Sequence, residues 1–208
     1  MSDKLFISGM FRSGTTLFAR MLHTHDNIAC ASDPFRPFFN CLRDAVADDI
    51  AVSVDEFDPL GDYFADETEV ELFDAVQQAT LDQQFPYDVR DELYERIISH
   101  AEPFSPKITS QLDAIRGETF REVYDDLWSY VPAAYGDGDE QWEATKEVWT
   151  TEFTPVLADA YPNSKFLHIV RDPRAVCASK NVQQDSKYPW LFLIRQWRKL
   201  AILSNQYS

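Results

Sequence analysis

The stretch "GMFRSGTT", Gly9 to Thr16, decides how the rest of this chain is read. Before it lies "KLFIS" (4–8), a nearly continuous apolar run of the kind expected for a strand buried on both faces of a parallel sheet. After it comes "TTLFARMLHTH" (15–25), in which Leu17, Phe18, Met21 and Leu22 form a helical stripe. Strand, glycine-bearing loop and helix together aim backbone N–H groups and the positive end of a helix dipole at an anion. Gly9 and Gly14 have the spacing of a nucleotide triphosphate loop, yet Thr15 stands where the lysine that reaches the β and γ phosphates belongs. A kinase or triphosphatase without that lysine loses its main clamp on the transferred group. The cation here is Arg12, with hydroxyl donors from Ser13, Thr15 and Thr16. Taken alone, the same residues also fit a glycine-tight turn with an exposed arginine.

A second unit of the same kind lies near the end of the chain. "TTEFTPVLADAYP" (150–162) reads as a helix stopped by Pro162, "KFLHIV" (165–170) as a buried strand, and "RDPRAVCASKNVQQ" (171–184) as a turn into another helix. Asp172 is a good N-cap there and Pro173 suits the first helical position. Arg171 then falls at the C-terminal end of a strand, where open α/β sheets bind ligands. Ser179, eight residues on, could share a second phosphate with it. Arg174 suits the helix surface, and Cys177 a small buried position. Two strand–turn–helix units indicate an α/β fold with a central parallel sheet flanked by helices. Two anion sites on neighbouring strand ends suit a nucleotide phosphorylated at two separated positions.

With both loops in view, the sequence resembles the sulfotransferases that use 3′-phosphoadenosine 5′-phosphosulfate (PAPS). "GMFRSGTT" is similar to their 5′-phosphosulfate loop, and "KFLHIVRDPRAVCASK" to their 3′-phosphate motif. The likeness spans about residues 4–42 and 145–206, in the family's order. It implies a P-loop-like sulfotransferase fold and transfer of a sulfuryl group from PAPS, as co-substrate and without a metal, to an acceptor oxygen or nitrogen. Position by position, it implies that Arg12, Ser13, Gly14, Thr15 and Thr16 hold the 5′-phosphosulfate and that Arg171 and Ser179 hold the 3′-phosphate.

Sulfuryl transfer is in-line displacement with charge building on the leaving phosphate, so cations aimed at that charge carry much of the catalysis. Arg12 is the first candidate. Lys146, in "ATKEVWT", is the second, because it resembles the lysine the family carries before its penultimate helix, although Val148 stands where proline is common. A hydroxyl acceptor also needs a base. Several branches of the family place a glutamate after a His-Pro pair. In "HTHDNIACASDPF" Asp26 replaces the proline and Asp33 occupies the glutamate's place, which makes Asp33 the preferred base and His25 the runner-up. Asp33 would also serve simply to start a turn before Pro34. "PFRPFF" (34–39) would line an acceptor pocket or pack the sheet edge, the latter for Phe38 or Phe39.

Composition sets the outer bounds. At 208 residues and 45% hydrophobic, the chain is expected to form one globular domain, residues 1–208. No apolar run reaches the roughly 20 residues of a membrane helix, and "MSDKLFISG" has no export signal, so neither membrane nor secretion is expected. Cys30, Cys41 and Cys177 show no metal-ligand spacing and read as reduced cytoplasmic thiols. A formal charge of −16 argues against nucleic acid as a partner, while an acidic lid within residues 44–145 would favour a small acceptor that is neutral or cationic. The acidity concentrates in residues 44–89, which hold fourteen Asp or Glu and no Lys or Arg. Helices are expected near 68–81, opening on a Thr68/Glu71 capping box, and near 90–101 and 118–131. They would form an acidic helical insertion spanning about 44–145. The chain ends at "LAILSNQYS", before the further strand and helices usual in the family. A C-terminally truncated protein with an uncovered sheet edge, prone to homodimerise, is the resulting expectation. A non-catalytic nucleotide-binding remnant is the main alternative function, with a P-loop kinase or NTPase the weaker one.

Overall fold

A computed structural model describes residues 3–52, 67–179 and 190–207. Four strands, β1 (Asp3–Gly9), β2 (Ile28–Ser32), β3 (Trp142–Val148) and β4 (Lys165–Ile169), form an all-parallel sheet in the order β2-β3-β1-β4. Ile7 lies beside Lys146 and Gly9 beside Ile169, so the C-terminal ends of all four strands share one edge.

Side-chain alternation along β1 divides the core in two. Leu5 and Ile7 face α1 (Thr15–His23) and pack with Ala19, Cys30 and Ala144. Phe6 points the other way, against Tyr124, Trp128 and Phe166. That second face holds most of the buried apolar residues. It is covered by α2 (Arg36–Asp49), α3 (Glu67–Gln78), α4 (Arg90–Ala101), the short α5 (Pro106–Thr109), α6 (Phe120–Tyr135) and α7 (Thr154–Ala160). After β4 come α8 (Pro173–Cys177) and α9 (Trp190–Gln206). Among the described residues, no helix is long and apolar enough to cross a membrane.

The two expected strands and the expected helices all form, with corrections. The capping box belongs to α6, where Thr119 Oγ1 accepts from Glu122 N–H and the Glu122 side chain accepts in return from Thr119 N–H. Helix α3 is already running at Glu67, so Thr68 lies inside it instead of capping it. The 44–145 span is largely helical where described, but its last residues start β3. Its helix α6 is no lid: Phe120, Val123, Tyr124, Leu127 and Trp128 are buried in the main core. The helix expected over 171–184 is Pro173–Cys177 within the described residues; 180–189 lie outside them. Phe38 and Phe39 of "PFRPFF" are core residues of α2. Strand β4 is paired only with β1, so among the described residues its outer edge has no strand beside it.

Among the described residues, three of the four non-glycine residues with positive φ sit just past strand C-termini: Arg12 after β1 (φ 64), Asp33 after β2 (φ 48) and Trp149 after β3 (φ 69). Such a conformation costs on the order of 1–3 kcal/mol per residue and persists only where its surroundings enforce it. Here it collects at one edge of the sheet.

Candidate functional site

The first loop is built from two glycines with different duties. Gly9 (φ 149) is required by close approach, because a Cβ there would meet the Ile169 carbonyl oxygen at 2.5 Å. Gly14 (φ 96) has open space around it and supplies the left-handed turn that starts α1. Among the described residues no side chain caps α1, and its first turn has no acidic residue, which leaves its N–H groups and dipole directed at the loop. Thr15 and Ser13 are buried beneath this turn, and among the described residues Ser13 Oγ has no hydrogen-bond partner. Arg12 is half-buried at the loop's apex.

The second loop meets the first. Arg171, two residues past β4, donates from Nη1 to the Arg12 carbonyl at 3.0 Å. Its own carbonyl accepts from Trp197 Nε1 of α9 at 2.7 Å. Met10, Trp149, Val176, Cys177, Leu193 and Leu200 form an apolar cluster that joins both loops to α8 and α9. Asp172 caps α8 through Arg174 N–H and pairs with the exposed Arg174 guanidinium, which holds its carboxyl down at about 2. Ser179 follows α8; its N–H bonds Val176, its side chain is half-buried, and no hydrogen bond joins it to Arg171.

The third component comes from β2 and β3. Asp33 and Lys146 form an ion pair, both almost wholly buried. Asp33 Oδ1 also accepts from Val148 N–H at 3.1 Å, and Asp33 N–H donates to the Lys146 carbonyl at 2.6 Å. The strained backbone of Asp33 is therefore over-determined by β3 on three sides. Lys146 lies on the sheet face of Ala144, the face that α1 covers. Its field also reaches the Cys30 thiol, although burial dominates there and pushes that thiol up to about 12. Neighbouring Glu147 takes the opposite face. Its Oε1 accepts from Phe35 N–H at 2.5 Å, and Oε2 has no hydrogen bond among the described residues. Burial first, and then the Asp33 charge, raise the Glu147 carboxyl well above the usual range.

His25 is a correction. It lies in the turn between α1 and β2, where its Nδ1 accepts from Asn27 N–H. That turn enters β2 at its N-terminal end, a full five-residue strand, or roughly 15 Å, from the edge that carries the two loops. It is placed too far away to act there. Arg36 starts α2 and bonds His100 Nδ1 at 3.3 Å.

Arg12, Ser13, Thr15, Thr16, Asp33, Lys146 and Arg171 thus converge on one sheet edge. The profile of the sulfotransferase family matches residues 4–199. The chain belongs to the sulfotransferase family. No curated protein matches it significantly in sequence. Within this sulfotransferase, sequence reasoning missed Glu147, Trp149 and Trp197. The available signal was the alternation in "ATKEV", which sends Lys146 and Glu147 to opposite sides of a strand.

Proposed function

We propose that this sulfotransferase moves the sulfuryl group of PAPS to a hydroxyl or amine of a small acceptor. The observation that carries the reading is the hydrogen bond from Arg171 to the Arg12 carbonyl, which makes the lysine-free Gly9–Gly14 loop and the β4 exit two halves of one surface. In this reading Ser13, Thr15, Thr16 and the first-turn amides of α1 hold the 5′-phosphosulfate. Arg171 faces the 3′-phosphate, with Ser179 one short helix away.

The acceptor oxygen attacks sulfur in line, the new S–O bond forms, and the bond from sulfur to the bridging oxygen of the phosphosulfate breaks. The electron pair goes to the nucleotide phosphate, and the acceptor's proton goes to Asp33. Arg12 and Lys146 answer the charge on the leaving oxygen. The Asp33–Lys146 pair makes these one coupled event: as the ammonium is drawn toward the leaving phosphate, the carboxylate oxygen it occupied becomes available for the proton. The three free thiols accord with a reducing compartment, and we place the enzyme in the cytoplasm.

Thermal unfolding tests the donor site. Adenosine 3′,5′-bisphosphate at a hundred times its Kd should stabilise the protein by about 2.7 kcal/mol, while ATP with magnesium should give no comparable gain. Arg171→Ala should remove most of that stabilisation. Stabilisation by ATP–magnesium alone would refute the reading.

A further inference from the structure

A groove of about 130 Å³ runs down the side of α1 away from the Gly9–Gly14 loop. Thr16, Arg20 and His23 line it at helical spacing from one side, and Ser32 of β2, Phe104 and Tyr135 line the other. Its upper end is shared with the proposed donor site, since Thr16 belongs to the loop and Ser32 immediately precedes Asp33. From there to His23 is seven residues of helix, or roughly 10 Å, with Arg20 at roughly 6 Å.

The aromatic wall is held in place. Ser105 Oγ donates to the Ser32 carbonyl at 2.8 Å and accepts from Ser32 N–H at 3.1 Å, which fastens the turn carrying Phe104 to the end of β2. Phe104 itself remains 48% exposed. Tyr135 closes the lower end, with the His23 ring edge-on at 5.3 Å and Lys107 Nζ 5.3 Å from its ring centre.

The charge of this groove opposes that of the whole chain. Among the described residues, no Asp or Glu lines it. Arg20 lines the groove and Lys107 lies against its Tyr135 wall, and neither has an ion pair among the described residues, although the chain holds 35 acidic side chains against 19 basic ones. Unpaired cations at the far end of an aromatic slot suit an anion there.

We infer that this groove is the acceptor site, and that it takes a hydroxylated aromatic compound bearing a carboxylate or similar anion. The ring lies against Phe104 and Tyr135, the hydroxyl points up to Asp33 and the sulfuryl group, and the anion, about 6–10 Å away, meets Arg20, His23 and Lys107. This rests on the reading of the Gly9–Gly14 loop as the donor site. It reverses the acceptor charge that an acidic 44–145 lid suggests, because screening confines each charge's influence to about 8–10 Å.

Three matched phenols test it: para-hydroxyphenylpropanoate, neutral para-propylphenol and cationic tyramine. The carboxylate should have a kcat/KM at least about tenfold above the other two. Arg20→Gln should raise its KM about tenfold, leaving kcat and the para-propylphenol parameters unchanged. Lys107→Gln, on a separate element, should act in the same direction with a smaller change. Equal kcat/KM for the three phenols, a preference for tyramine, or variants that leave the KM for the carboxylate unmoved would each overturn the inference. Calorimetric binding of para-hydroxyphenylpropanoate without nucleotide reads the groove alone: binding weakened by Arg20→Gln supports it, and no binding overturns it. A protein that fails to bind adenosine 3′,5′-bisphosphate yet binds this phenol would sink the donor reading and leave the groove standing.

Discussion

Two buried lysine–carboxylate pairs, whose nearest members Lys146 and Glu152 are six residues apart along the chain, do different work. Asp33–Lys146 sits at the C-terminal ends of β2 and β3, with both carboxylate oxygens engaged and the Asp33 backbone held at φ 48. In the other pair, Glu152 in the turn after β3 meets Lys199 of α9 at 3.4 Å. Glu152 has ordinary helical-turn geometry, and among the described residues its Oε2 has no hydrogen bond. Burial raises its carboxyl, with Lys199 opposing the shift. Its carbonyl accepts from Gln77, so the second pair docks α9 and α3 onto the turn. Burial alone does not separate the two pairs. Backbone strain at the ligand edge of the sheet does, because strain survives only where the surroundings enforce a geometry.

The sharpest break of that comparison is a lysine swap at each pair. Lys146→Met should cost about 10²–10³ in turnover on top of a stability loss of about 3–5 kcal/mol, since it leaves Asp33 buried without its partner. Lys199→Met should show a similar loss in denaturant unfolding, while turnover per folded molecule changes less than threefold. Equal turnover losses in the two variants would mean that both pairs serve the chemistry. Asp33→Ala comes next: turnover should drop about a hundredfold, with bisphosphate affinity nearly unchanged in a thermal-shift titration. Undiminished turnover would place the base elsewhere.

Glu147 gives the smallest effect and the finest test. Its carboxyl is raised in the folded state above the 4.5 of a free glutamate, so the native protein holds a proton that the unfolded chain releases. This group's contribution is therefore favourable below about pH 4.5 and is lost progressively as pH rises through the raised value. Asp33, Lys146, Arg36 and Tyr124 all act on it electrostatically, from the β2 exit, β3, α2 and α6. Glu147→Gln keeps an acceptor for Phe35 N–H and removes the titration. Denaturant melts from pH 5 to 8 should show the variant losing less stability than the native protein, with the gap widening as pH rises. Parallel curves would show that Glu147 is already ionised when folded.

How much was legible beforehand depended on what each strand is made of. In β1, Leu5, Phe6 and Ile7 announce burial on two faces, and the glycine spacing after them marks the loop. Strand β2, "IACAS", has only small residues at its centre, since α1 and α6 press close on either side, and small residues carry little strand preference. Strand β3, "WEATKEV", buries a lysine and a glutamate, residue types that composition alone assigns to the surface. Asp33 and Lys146 were each legible as candidates, but their pairing spans 113 residues. His25 was misplaced for a related reason: family position says which turn a residue occupies, and only the strand between says which end of the sheet it faces.

By itself, the sequence determined that a glycine loop without its lysine, an arginine at a second strand end and a parallel α/β frame belong to one chain. Local backbone needs and apolar runs settle those features residue by residue. Only the tertiary structure decided that Arg171 touches the Arg12 loop, that Asp33 and Lys146 are one unit, and that a cation-lined slot lies inside an acidic protein. Contacts between distant segments, and the short reach of charge in salt water, make those properties of the folded arrangement and not of any single stretch.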